Sequence, residues 1–171
     1  IRQLSKLLGF RPVNVAIFLL AFKHSSKAKK SHTSNERLEY LGDAILDAIV
    51  SDYLFKKYPI RGEGYLTEMR SKIVNRKRLG EMGEKLNLKD FLDYDRAYVS
   101  VNSTLLGNAL EALIGAIYLD AGYEKAISVK RANSLNELIQ VLSKTEFVGV
   151  NSALEIIVSA KLQIIKSVAI T

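Results

Sequence analysis

Three carboxylates, Glu36, Glu39 and Asp43, recur at three- and four-residue steps within the segment NERLEYLGDAIL at residues 35–46. At 100° per residue they fall within about 60° of one another on a helix, so they share one face over two turns. Like charges stacked this way repel by about a few tenths of a kcal/mol per pair. A hard divalent cation offsets that repulsion, because Mg²⁺ takes carboxylate oxygens and keeps several of its waters. A solvated acidic face, helped by Arg37 and by the favourable helix N-terminus, is the alternative, and the three carboxylates alone leave it open. A further acid, Glu111, stands in the apolar stretch 104–119 between Leu110 and Ala112. A carboxylate there is costly to bury unless it is paired or bound to metal. Asn108 lies one turn earlier on the same face.

Positioning these groups requires two helices that meet. Gly42 suggests where: a glycine inside a helix costs about 1 kcal/mol relative to alanine and marks close approach of another backbone. The apolar helix 104–119 is the expected partner, which would bring Glu39, Asp43, Glu111 and the Asn108 amide around one polar point. Leu38, Leu41, Ile45 and Ile49 are expected to face the core. Only Pro12 and Pro59 interrupt the chain, strand-like alternation is scarce, and apolar residues recur at helical spacing, so the expected class is all-α. Short helices are predicted at 2–8 and 13–22, followed by a basic loop at 25–33. A long helix capped by Ser34 or Asn35 should run to about residue 57, with further helices at 66–75 and 77–86. The last of these should end near Asn87, and the helix 104–119 at Ala121-Gly122. Residues 88–103 read as loop or short helices, and 126–171 as a C-terminal helical extension. His24, beside Phe22, reads as a capping or packing residue.

A chain of 171 residues with 48% hydrophobic content supports one domain with a sizeable core plus an extension. Without cysteine there is no disulfide framework and no thiolate zinc site, so any metal must use oxygen or histidine ligands. The apolar run at residues 15–22 is far shorter than the ~20 residues of a membrane span, and a soluble protein without a membrane partner is expected. The net charge of +7 favours a polyanionic partner such as nucleic acid. Its carriers cluster as Lys23, Lys27, Lys29 and Lys30 before the acidic segment and as Arg70, Lys72, Arg76, Lys77 and Arg78 after it. An ordinary solvated surface is the competing reading of each. Phosphate contacts of this kind would recognise A-form shape and not sequence.

The segment at 35–46 resembles the signature of the ribonuclease III family. AFKHSS at 21–26, EGYLTEMR at 63–70 and NALEALIGA at 108–116 resemble the family's other segments in the same order and spacing, over about residues 1–125. The resemblance implies an all-α, homodimeric endonuclease domain at 1–125 whose two sites line one valley holding double-stranded RNA. Each site would cut one strand, leaving 5′-phosphate and 3′-hydroxyl ends with short 3′ overhangs, in cytoplasmic rRNA and mRNA processing. It implies Mg²⁺ as cofactor, with Mn²⁺ able to substitute, held by Glu39, Asp43, Asn108 and Glu111. Asp43 and Glu111 would be catalytic, orienting and activating water for in-line displacement. Glu36, Tyr40 and Glu63 would lie near the site or the dimer interface, with Tyr40 packing into the other subunit. Lys29, Lys30, Arg70, Lys72, Arg76 and Lys77 would contact RNA. One position departs from the pattern, because Asn108 stands where the family usually has aspartate, which removes a negative charge from the metal site. Residues 126–171 show no convincing double-stranded-RNA-binding domain. A catalytically weakened or inactive relative that binds RNA or plays a structural role is therefore the alternative.

Overall fold

The computed structural model describes residues 2–8, 10–97 and 99–128. Its helices are α1 (Arg2–Leu8), α2 (Val15–Ala21), α3 (Glu36–Lys57), α4 (Glu63–Ile73), α5 (Arg76–Lys85) and α6 (Ser103–Ser128), with 3₁₀ turns at Ser25–Lys27, Ser31–Thr33 and Leu88–Asp90. Among the described residues there is no strand, only an isolated bridge between Lys23 and Asp93. The all-α expectation holds. The expected character of residues 129–171 lies outside the described part.

α6 is the axis on which the other helices pack. Its residues Leu105, Leu106, Ala109, Leu110, Ala112, Leu113, Ile114, Ala116 and Ile117 are all buried. The stretch Ser103–Gly122 is long and apolar enough to cross a membrane, but most of it is enclosed by the protein, as befits the central helix of a folded core. Gly122, with φ of 78°, breaks the helical geometry where Ala121-Gly122 was expected to end it, and the chain resumes helix to Ser128. Asn87 takes the left-handed conformation after α5, with φ of 52°, as its position predicts.

Two expectations need correction. α4 starts at Glu63, not at residue 66, because Gly62 serves as its N-cap residue, an acid at the first position suits the helix dipole, and Thr67 Oγ1 donates to Glu63 at 2.7 Å. The buried stripe of α3 is Leu38, Gly42, Leu46, Val50 and Leu54. Ile45 packs at its edge, while Leu41 and Ile49 are only partly buried. A strict four-residue step around a glycine lets the backbone of α3 approach α6, which a stripe through Leu41 and Ile49 would prevent.

The loop ahead of α3 is stapled to the one after α5. His24 N–H donates to the Asp93 carbonyl and Asp93 N–H to the Phe22 carbonyl, both at 2.9 Å. Lys27 pairs with Asp93 at 3.0 Å, and Ser26 Oγ accepts from Asp95 N–H at 3.0 Å. His24 Nδ1 accepts from Ser26 N–H at 3.1 Å, so the imidazole caps the first 3₁₀ turn.

Candidate functional site

α3 and α6 cross with their backbones in contact. A Cβ on Gly42 would lie 1.7 Å from the Glu111 carbonyl oxygen, and one on Gly115 would lie 2.4 Å from the Leu38 carbonyl oxygen. The crossing expected at Gly42 is therefore present, and α6 answers it with a glycine of its own. Glu39 and Asp43 stand on one side of the contact and Glu111 on the other.

Burial raises the pKa of Glu111 to about 7, with the charges of Asp43 and Glu39 pushing the same way. Glu39 is also raised, first by burial and then by Glu36, while a hydrogen bond from Asn108 favours its charged form and works against the rise. Carboxylates partly withdrawn from water and mutually repelling favour a cation. No Lys or Arg lies within ion-pair distance of Glu39, Asp43 or Glu111 among the described residues. Arg76 is near enough to lower the pKa of both Glu39 and Glu111.

Oxygen donors alone suit Mg²⁺ or Mn²⁺. Among the described residues, however, no three acids or histidines converge into a ready metal cage. That looseness fits a hard cation that keeps several waters and takes only one or two carboxylates directly. The donor set agrees with Mg²⁺ in its chemistry.

The other expected site residues are dispersed. Glu36 is exposed at the start of α3 and accepts from Ser34 Oγ at 3.1 Å. Tyr40 is 82% exposed, an unusual position for an aromatic ring on a long helix. Glu63 begins α4 beside the C-terminal end of α3, where the Tyr58 and Tyr65 rings meet edge to face at 5.3 Å. Eighteen residues of helix separate Glu39 from Lys57, roughly 27 Å along the axis. A single subunit thus does not bring Glu63 to Glu39.

Arg70 bonds Ser51 Oγ at 3.0 Å and lies 4.0 Å from Asp47, while Lys72 pairs with Glu68. Lys29, Lys30, Arg76 and Lys77 are exposed. Sequence reasoning missed Asp47, one turn beyond Asp43, whose charge also raises Glu111. It missed Asp120 as well, whose carboxylate accepts from Val13 N–H at 3.1 Å and Asn14 N–H at 2.6 Å, tying α6 to the entry of α2. Four-residue spacing from Asp43 signals the first; nothing local signals the second.

The Ribonuclease-III-like family pattern matches residues 14–138. Over 140 residues the chain is 44% identical to Ribonuclease 3 of Bacteroides thetaiotaomicron, covering 80% of this chain and 45% of that protein. Over 125 residues it is 46% identical to Ribonuclease 3 of Zunongwangia profunda, covering 71% of this chain and 51% of that protein. The chain thus spans about half the length of these curated relatives. Its fold is similar to the nuclease domain of ribonuclease III from Campylobacter jejuni, a structure described for flexibility in a region involved in dimer formation. The TM-score is 0.73 at 34% identity, covering 85% of this chain and 98% of that one.

Proposed function

Since the chain belongs to the ribonuclease III family, we propose that it forms the nuclease part of a divalent-metal-dependent endonuclease that hydrolyses double-stranded RNA. The observation that carries this reading is the Glu39, Asp43 and Glu111 group at the Gly42–Gly115 crossing, with Glu111 raised to about 7 by burial and its acidic neighbours. A cation bound there would supply Lewis-acid stabilisation of the phosphoryl charge and a more acidic water. Asp43, exposed on α3, and Glu111, on α6, would hold it from two helices. Glu39 adds charge from the floor of the group, oriented by Asn108. Lys29, Lys30 and Lys77 are exposed and bring positive charge to the surface for phosphate contacts. Products with 5′-phosphate and 3′-hydroxyl ends follow if water attacks the phosphorus and the 3′ oxygen leaves.

Two strands need two sites, and the proposed partner is a second copy in a symmetric dimer, with the Tyr40 ring as the contact it buries. The separation of Glu63 from its own Glu39 supports that arrangement, because a role for Glu63 near a site then requires the other subunit. Substitution tests the site. Asp43→Ala and Glu111→Ala should each abolish Mg²⁺-dependent cleavage of duplex RNA, at least a hundredfold by the usual scale of ~10²–10³ for a lost electrostatic partner. Fold and dimerisation should remain. Parent-rate cleavage by either variant would refute the site.

A further inference from the structure

α3 carries a polar row beside its buried one. Glu39, Asp43, Asp47 and Ser51 follow at four-residue steps, each drifting about 40° from the last, and they run next to the buried stripe of Leu38, Gly42, Leu46, Val50 and Leu54. Asp47 lies one turn from Asp43, about 6 Å along the axis. In type and spacing nothing separates it from Glu39 and Asp43. A cation drawn to the row by charge alone would be shared along it.

α4 makes the difference. Its last turn carries two cations, Arg70 and Lys72, where the helix dipole favours them. Lys72 pairs with Glu68 on its own helix. Arg70 instead reaches across to α3: its Nη1 donates to Ser51 Oγ at 3.0 Å, and its Nε lies 4.0 Å from Asp47 Oδ2. Its neighbour Met69 is buried, so the guanidinium is set down where α4 itself docks. A planar fork suits this task, because one group can serve a hydroxyl and a carboxylate in two directions. The Arg70 and Asp47 side chains are 39% and 43% exposed, too wet for the pair to add much stability. No Lys or Arg stands at ion-pair distance from Glu39, Asp43 or Glu111 among the described residues. The row is therefore divided: Arg70 answers its far half, and its near half is left open at the crossing with α6.

We propose that Arg70 is a positioning residue, which by engaging Ser51 and Asp47 takes Asp47 out of the competition for the divalent cation and confines that cation to the Asp43 and Glu111 end of the row. This rests on the nuclease reading of the same acids. It also gives Arg70 a role other than the RNA contact expected from the sequence, since Nη1 and Nε face α3. Without the guanidinium, Asp47 is an unpaired carboxylate one turn from Asp43. A cation shared with it stands farther from Glu111, so metal still binds but the reaction slows.

Duplex cleavage at saturating Mg²⁺ and Mn²⁺ binding without RNA, both with the full chain, test this for wild type, Arg70→Gln, Asp47→Asn and the double variant. Arg70→Gln is expected to lower kcat by about tenfold with KM unchanged, within the ~10²-fold that misplacement by an ångström can cost. It should bind Mn²⁺ at least as tightly as wild type, because a carboxylate has been released. Asp47→Asn alone should stay near wild type, since its amide oxygen can still accept from Arg70. In the Arg70→Gln background Asp47→Asn should restore most of the lost rate. Should Arg70→Gln fail to fold, Arg70→Met, which keeps an apolar stem against α3, takes its place in the comparison. A phosphate contact behaves otherwise: its loss would raise KM, flatten the salt dependence of binding and resist rescue by Asp47→Asn. That pattern, full kcat in Arg70→Gln, or weakened Mn²⁺ binding would overturn the role of Arg70 and leave the nuclease reading standing. No cleavage by wild type would overturn both.

Discussion

Burial keeps the Glu111 carboxyl near pKa 7, and the neighbouring Asp43 and Glu39 charges add to the effect. A carboxyl raised in the folded state binds its proton more tightly there than in the unfolded chain, so its stabilising contribution is present at low pH. That contribution fades as pH rises from the ordinary value of 4.5 through about 7. Metal-free protein should therefore lose Tm across that window, and Glu111→Gln, which has no proton to lose, should flatten the slope. Thermal melts in chelator between pH 4.5 and 8 check this, and equal slopes for the two proteins would contradict it. Asn108, expected from the resemblance to replace an aspartate, stabilises the Glu39 carboxylate by hydrogen bonding. Asn108→Asp exchanges that donor for a like charge. Half-saturating Mg²⁺ should fall, about tenfold for each 1.4 kcal/mol gained, while the metal-free protein becomes less stable. Identical Mg²⁺ titrations of the two forms would place Asn108 outside the metal's reach.

Among the elements, the α3–α6 pair governs everything the site does, since the Gly42–Gly115 contact fixes how far apart Glu39 and Glu111 stand. The Cβ of Gly42→Ala would fall 1.7 Å from the Glu111 carbonyl oxygen, where backbone and not a flexible side chain must move. Overpacking of this kind should cost on the order of 2–4 kcal/mol and separate the acids, so stability and cleavage fall together. Denaturant unfolding with activity measured on the same samples checks the coupling. A stable variant at full activity would mean that the crossing is not what positions the site. This crossing was legible in the sequence because a glycine inside a strongly apolar-stepped helix needs a reason. The rotation of α3 was not, because Leu41, Ile45 and Ile49 are as apolar as the residues that face α6. Nor was the engagement of Arg70 with Ser51 and Asp47, which depends on where α4 lands along α3. The basic first turn of α5, by contrast, can be read directly, since it runs against the helix dipole.

At the scale of the whole molecule, the all-α architecture and its order of helices follow from periodicity and from the near absence of proline, while the long-range ties at Asp120 and Asp93 do not. The remaining question is assembly. Tyr40 is 82% exposed on the same helix as the acids, so Tyr40→Ala should barely change the stability of an isolated subunit and should weaken self-association. Sedimentation at micromolar concentration should find wild type dimeric and Tyr40→Ala shifted toward monomer. A wild-type monomer whose state duplex RNA does not alter would refute the symmetric pair. The proposed dimer matters because it would predict paired cuts on opposite strands. The most direct test of the central claim is cleavage of an end-labelled RNA duplex, beside its separated single strands, with Mg²⁺ and in chelator. Metal-dependent fragments from the duplex alone, cut on both strands and lost in Glu111→Ala, are the predicted result. An intact duplex at saturating Mg²⁺, or fragments that persist in chelator, would contradict the account.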